Sequence, residues 1–149
     1  MLLDRYEVQI NPTQTVYEFV SEGPKGKVKK LARFDETNLK DFYNLGFGDV
    51  NIETGELDDK AITDNGDSQK VLATVAATLY AFTYKNPDAW IFAQGSTPAR
   101  TRLYQMGIAK NWEEIKDDFI VRGLYKKVWK DFKMNQNYDA FVVKRKEIL

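Results

Sequence analysis

The chain contains no cysteine and no histidine. The first absence excludes disulfides, thiolate nucleophiles and Cys-bound zinc or iron–sulfur centres. The second excludes imidazole general bases, His-containing triads and HExxH zinc sites. Any metal would be a hard ion held by oxygen, such as Mg²⁺ or Ca²⁺, and the EF-hand spacing is missing too, so no metal site is assigned. Net charge is also lacking, because 22 Lys plus Arg balance 22 Asp plus Glu. That balance argues against nucleic acid as a partner. No apolar run approaches the roughly 20 residues that span a bilayer. The opening residues become charged at Asp4 and Arg5, too early for a secretory signal. A cytoplasmic protein without membrane contact is expected.

What the chain does have is 149 residues, 43% of them apolar and 13% aromatic. That suffices for one core, so residues 1–149 are read as a single domain. Tyr6–Ile10, Val16–Val20, Val28–Phe34 and Phe42–Val50 alternate with period two and read as strands. Glu22-Gly23-Pro24-Lys25-Gly26 supplies a hairpin turn between the second and third. On the fourth, Asn44, Gly46 and Gly48 share a face left nearly bare, which fits a bulge or close approach of another group. Thr54-Gly55 reads as a turn and Ala61-Ile62-Thr63 as a short strand.

The spacing of Leu72, Val75, Leu79 and Phe82 predicts a buried helix over Ser68–Asn86, with Asp67 or Ser68 as its cap and Asn86-Pro87 as its stop. Ala89–Ala93 reads as an interior strand covered on both faces. Thr97-Pro98 opens a second helix that turns Ala99, Leu103 and Met106 inward and closes at Gly107. A short helix at Asn111–Ile115 precedes strands at Phe119–Leu124 and Tyr138–Arg145. Tyr125–Lys133 reads as an amphipathic segment, helical or extended. The order is β-β-β-β-α-β-α-β-β: an α+β domain with antiparallel N-terminal strands, a β-α-β crossover and two C-terminal strands.

Chemically useful groups concentrate in Gly95-Ser96-Thr97-Pro98-Ala99-Arg100-Thr101-Arg102. Ser96, Thr97, Arg100 and Arg102 surround a helix N-terminus, where free N–H groups and the dipole favour an anion. Cations there oppose the dipole by about 0.3–1 kcal/mol each, so a phosphate or carboxylate ligand, or the chain's own carboxylates, should compensate them. A β-α-β unit would bring the turn Asp64–Lys70, with Asn65 and Asp67, to the same edge. Asp67 is most simply a helix cap; otherwise Asp64 and Asp67 pair with Arg100 or Arg102, or hold hydrated Mg²⁺. Charge is uneven: Asp49–Asp67 holds seven acidic residues and one lysine, a local −6, while Arg122–Leu149 carries +5. Opposite local charges suit internal pairing, self-association or a protein partner.

Two resemblances follow from these residues. Val16–Gly26, Asn65–Thr78 and Gly95–Tyr104 resemble a family of small uncharacterised bacterial proteins, chiefly from Bacteroidota, over nearly the whole chain. That likeness implies a compact domain and brings no assigned activity. The element order and Ala99–Ile108 are similar to the GCN5-related N-acetyltransferases. This second likeness implies acetyl-CoA as cofactor, Asn65–Gln69 as a pyrophosphate loop and Tyr104 as the acid for a thiolate leaving group. The chain departs from that family by lacking its Arg/Gln-x-x-Gly-x-Gly/Ala loop and by placing Tyr104 three residues before Gly107 instead of four. With no histidine, a base would be a carboxylate such as Asp49, or water. The functional expectation is a binding or interaction domain with an anion pocket at residues 64–69 and 95–102. The alternatives are an acyl-CoA-dependent transferase and a component of a toxin–antitoxin or phage-defence pair.

Overall fold

The computed structural model describes residues 4–58 and 62–147. One mixed, mostly antiparallel sheet of nine strands carries three helices. Strands β1 (Gln9–Ile10), β2 (Val16–Gly23), β3 (Gly26–Glu36) and β4 (Phe42–Val50) pair in sequence order, each antiparallel to the last. Gly23 faces Gly26 across a two-residue turn, and Gly26 takes a φ of +88°. A two-residue β5 (Leu57–Asp58) folds back on the end of β4. Helix α1 (Ser68–Lys85) then crosses over to β6 (Trp90–Ala93), which lies parallel to β4 with Leu45 beside Ala93. Helices α2 (Pro98–Lys110) and α3 (Trp112–Asp118) lead to β7 (Phe119–Tyr125), β8 (Val128–Asp131) and β9 (Phe141–Arg145). β9 inserts antiparallel between β6 and β7.

The core lies between the helices and one face of the sheet. Tyr17, Phe19, Phe34, Leu45, Phe47, Ile91, Phe141 and Val143 project from that face. They meet Val71, Val75, Leu79 and Phe82 of α1, Ile108 of α2 and Ile115 of α3. The Phe34 and Phe82 rings stack at 4.3 Å. Three buried threonines of α1 satisfy their own hydroxyls: Thr74 donates to Lys70 O, Thr78 to Val75 O and Thr83 to Leu79 O. Arg145 of β9 donates to Thr83 Oγ1 at 2.9 Å and to Tyr80 O at 2.8 Å, fastening the last strand to α1. No helix among the described residues is long and apolar enough to cross a membrane.

Several expectations are corrected. β6 is interior within the sheet, but only Ile91 and Ala93 are buried. Trp90 and Phe92 are half-buried on the opposite face, where Phe92 meets Phe42 and Trp129 at 6.2 and 6.3 Å. Helix α2 does not close at Gly107 but runs on to Lys110, and Gly107 lies against Leu72 of α1. Ala99 and Met106 are exposed; Thr101 and Ile108 are its buried positions. Ile62 and Thr63 are not in a strand, and Ala61 lies outside the described residues. Tyr125–Lys133 is a hairpin, with Lys126 and Lys127 at φ of 50° and 67° in its turn.

Candidate functional site

β4 and β6 pair only from Phe42 to Leu45 and from Trp90 to Ala93, and then part. The same edge of β4 is taken up again by β5 at Asp49–Val50. Between these two pairings Gly46, Phe47 and Gly48 form a notch. A cleft of about 310 Å³ opens there, walled by Arg33, Asn44 and Gly46 on one side and by Gln94, Ser96, Arg100 and Tyr104 on the other, with Leu57 and Ile62 across the end. Tyr104 stands at the fork, its hydroxyl donating to Leu45 O at 3.3 Å. A Cβ on Gly46 would lie 3.0 Å from Leu57 Cδ2, so any side chain there would push that leucine aside. Arg33 brings positive charge to the wall and pairs with Asp35 at 2.9 Å. Ser96, Arg100 and Tyr104 are each already engaged in polar or ring contacts.

The strand-to-helix turn is built tightly. A Cβ on Gly95 would lie 2.5 Å from Arg100 Cβ and from Thr101 N, so only glycine lets the chain fold over the first turn of α2. Gly95 N–H donates to Thr101 Oγ1, and Arg100 N–H to Thr97 Oγ1 at 3.3 Å. Thr97 is therefore the helix cap, Arg100 N–H is taken by it and Pro98 offers no donor, so fewer helix-terminal N–H groups are left to receive an anion. The two arginines also diverge. Arg100 faces the notch, whereas Arg102 is exposed and lines a separate cleft with Asn137, Tyr138 and Asp139.

Asn65 and Asp67 are at the expected end of the sheet but displaced sideways, over the β2–β3 hairpin instead of beside residues 95–102. Asn65 is buried; it accepts from Lys25 N–H at 2.7 Å and donates to Gly26 O at 2.9 Å and Ser21 Oγ at 3.3 Å. Asp67 holds the cap position without capping, because its Oδ2 accepts from Tyr6 Oη and Ser21 Oγ, both at 2.5 Å. Burial, reinforced by the Asp67 carboxylate, pushes the Tyr6 phenol above its usual range. The pocket walled jointly by 64–69 and 95–102 is thus replaced by the notch, where Leu57 and Ile62 occupy the place foreseen for the turn. The cause is the path between β4 and α1: β5 folds back on β4 and Thr63 bonds to Asp49 before α1 begins.

Asp49, considered as a base, is engaged at both oxygens. Its Oδ1 accepts from buried Lys30 at 2.6 Å, and its Oδ2 accepts from Thr63 N–H at 3.0 Å and Thr63 Oγ1 at 2.5 Å. Sequence reasoning passed over Arg33, Asn44 and Gln94. Arg33 and Asn44 are polar positions on the face away from the helices, and only the parting of β4 from β6 turns them into a wall. A visible signal was the pair Gly46 and Gly48, whose missing side chains make the notch.

The chain belongs to a family of unknown function, DUF6934, whose model matches residues 2–146. No curated protein and no solved structure matches it.

Proposed function

We propose that this DUF6934 domain is a small-molecule-binding domain whose ligand lies in the notch between β4 and β6, and that the ligand is an extended, amide-bearing anion of the coenzyme A type. The observation that supports this reading is the interrupted edge of β4, bridged by β6 up to Leu45 and by β5 from Asp49, with Gly46, Phe47 and Gly48 between. An edge of this kind recruits a further chain of alternating N–H and C=O groups. The pantetheine arm carries two amides in an extended chain, and its phosphates would draw on the guanidinium groups of Arg100 and of Arg33, the latter now paired with Asp35. Recognition of this kind calls for neither metal nor imidazole, in keeping with the composition.

A second reading, acyl transfer, draws on two features. A parallel β4–β6 pair is joined through α1, and Tyr104 stands at the fork, where a phenol can give its proton to a departing thiolate. The base in that reaction is not Asp49, whose oxygens are engaged.

Thermal unfolding and calorimetric titration with CoA test the first reading. A ligand at 100 times its Kd stabilises by about 2.7 kcal/mol, a readily measured rise in Tm. Arg100→Ala should weaken CoA binding at least five-fold. Absence of any response at millimolar CoA would overturn the proposal. For the second reading, thiol release from acetyl-CoA with a panel of amines should be detectable and should fall more than ten-fold in Tyr104→Phe with CoA affinity unchanged.

A further inference from the structure

Behind the fork lies a second cavity, of about 60 Å³, walled almost wholly by apolar atoms. Leu72 and Ala76 of α1, Leu103 and Ile108 of α2 and Ala93 of β6 contribute to it. Leu45, Phe47 and Tyr104 line both this cavity and the polar cleft, so the two spaces share one wall. We infer that the cavity is a subsite for a short apolar tail whose polar head lies in the notch, which makes the ligand an amphiphile carrying a short acyl or alkyl chain. The inference rests on the reading of the notch given above and specifies the chemistry of its ligand.

Three physical arguments carry it. Interiors are packed with few voids larger than a water molecule, so an apolar void of this size weakens the domain until something apolar fills it. Water is a poor occupant, because the walls offer almost no hydrogen-bond partners. The shared wall also puts both spaces within reach of one ligand, because Leu45, Phe47 and the half-buried Tyr104 face each of them.

Size fixes the tail. A water needs roughly 10–15 Å³ on this measure, so the cavity takes a chain of about four carbons. Small residues make the room: Ala76 on α1 and Gly107 on α2 both line the cavity.

Calorimetric titration of the unmodified protein with CoA, acetyl-CoA, butyryl-CoA and octanoyl-CoA provides the test. Affinity should tighten about four-fold per added methylene up to about four carbons, as expected for burying each CH₂, and fall at eight. Ala76→Leu, with folding verified by circular dichroism, should bind CoA as the parent does yet lose the preference for butyryl over acetyl. If CoA binds and chain length makes no difference, the subsite is disproved and the notch reading stands. If no member of the series binds, the notch reading falls and the subsite with it. The chain-length series needs no variant, so a poorly folding Ala76→Leu leaves the test intact.

Discussion

Lys30 Nζ lies 2.6 Å from Asp49 Oδ1 across adjacent strands, with the lysine side chain 0% and the aspartate side chain 11% exposed. Nζ also donates to Thr63 O at 2.9 Å, and Thr63 returns two hydrogen bonds to Asp49. This cluster fastens Thr63 to the sheet and so sets where α1 begins. Removing one partner strands the other charge in a site of low polarity. Asp49→Leu or Lys30→Met alone should therefore destabilise by about 3–5 kcal/mol, whereas the double substitution should cost far less. Urea unfolding of all four proteins measures the coupling, and additive single effects would disprove the arrangement.

Asp67 sits at the head of α1 but serves the N-terminal segment. Asp67→Ala removes the acceptor of Ser21 Oγ and leaves Tyr6 Oη only the longer bond to Glu22 O at 3.3 Å, with an expected loss of about 1–3 kcal/mol. Tyr6→Phe and Ser21→Ala should each lose most of their effect in the Asp67→Ala background. Equal effects in both backgrounds would show that the carboxylate acts through the helix terminus instead.

Gly95→Ala places a methyl group 2.5 Å from backbone and Cβ atoms of the first turn of α2. Overpacking of this kind costs about 1–3 kcal/mol. Here it should also shift Ser96 and Arg100 and weaken CoA binding more than the stability loss accounts for.

High pH should unfold the domain through its tyrosines. Burial first, then the bond to Asp118 at 2.8 Å, raises the Tyr80 phenol well above its ordinary 10.0, and burial raises Tyr17 and Tyr6 as well. A folded-state value above the unfolded one means that this stability is fully present below about pH 10. It declines as pH climbs toward the raised values. Chemical unfolding at pH 8, 10 and 11 should show a flat stretch followed by a fall, with a shallower fall in Tyr80→Phe.

The legible parts of the fold were those governed by local rules. The β2–β3 hairpin followed from Gly23, Pro24 and Gly26, the bounds of β4 from its alternation, and α1 from its apolar stripe. Tertiary packing decided the rest. Gly107 reads as a helix end, yet it lies inside α2, which runs on to Lys110 and packs here against Leu72 of α1. Lys126-Lys127 carries no turn signature, yet both lysines adopt positive φ where β7 meets β8. For the site, Ser96, Arg100 and Tyr104 were legible as polar groups near a helix start. That they face Arg33 and Gly46 depends on where two parallel strands stop pairing, which no local pattern encodes. Asn65 and Asp67 look equally functional in sequence and instead lock a hairpin.

β7 joins the rest of the sheet only through β9, which is made later and slides in between β7 and β6. During synthesis the β7–β8 hairpin must therefore wait with an open edge until residues 141–145 leave the ribosome. Until then the half bearing the notch and the half bearing the hairpin are joined by α2 and α3 alone. A chain halted near residue 139 should consequently be recognised by chaperones and proteases as incomplete, even though all 18 residues of α1 and all of β1–β6 precede the halt by more than 40 positions.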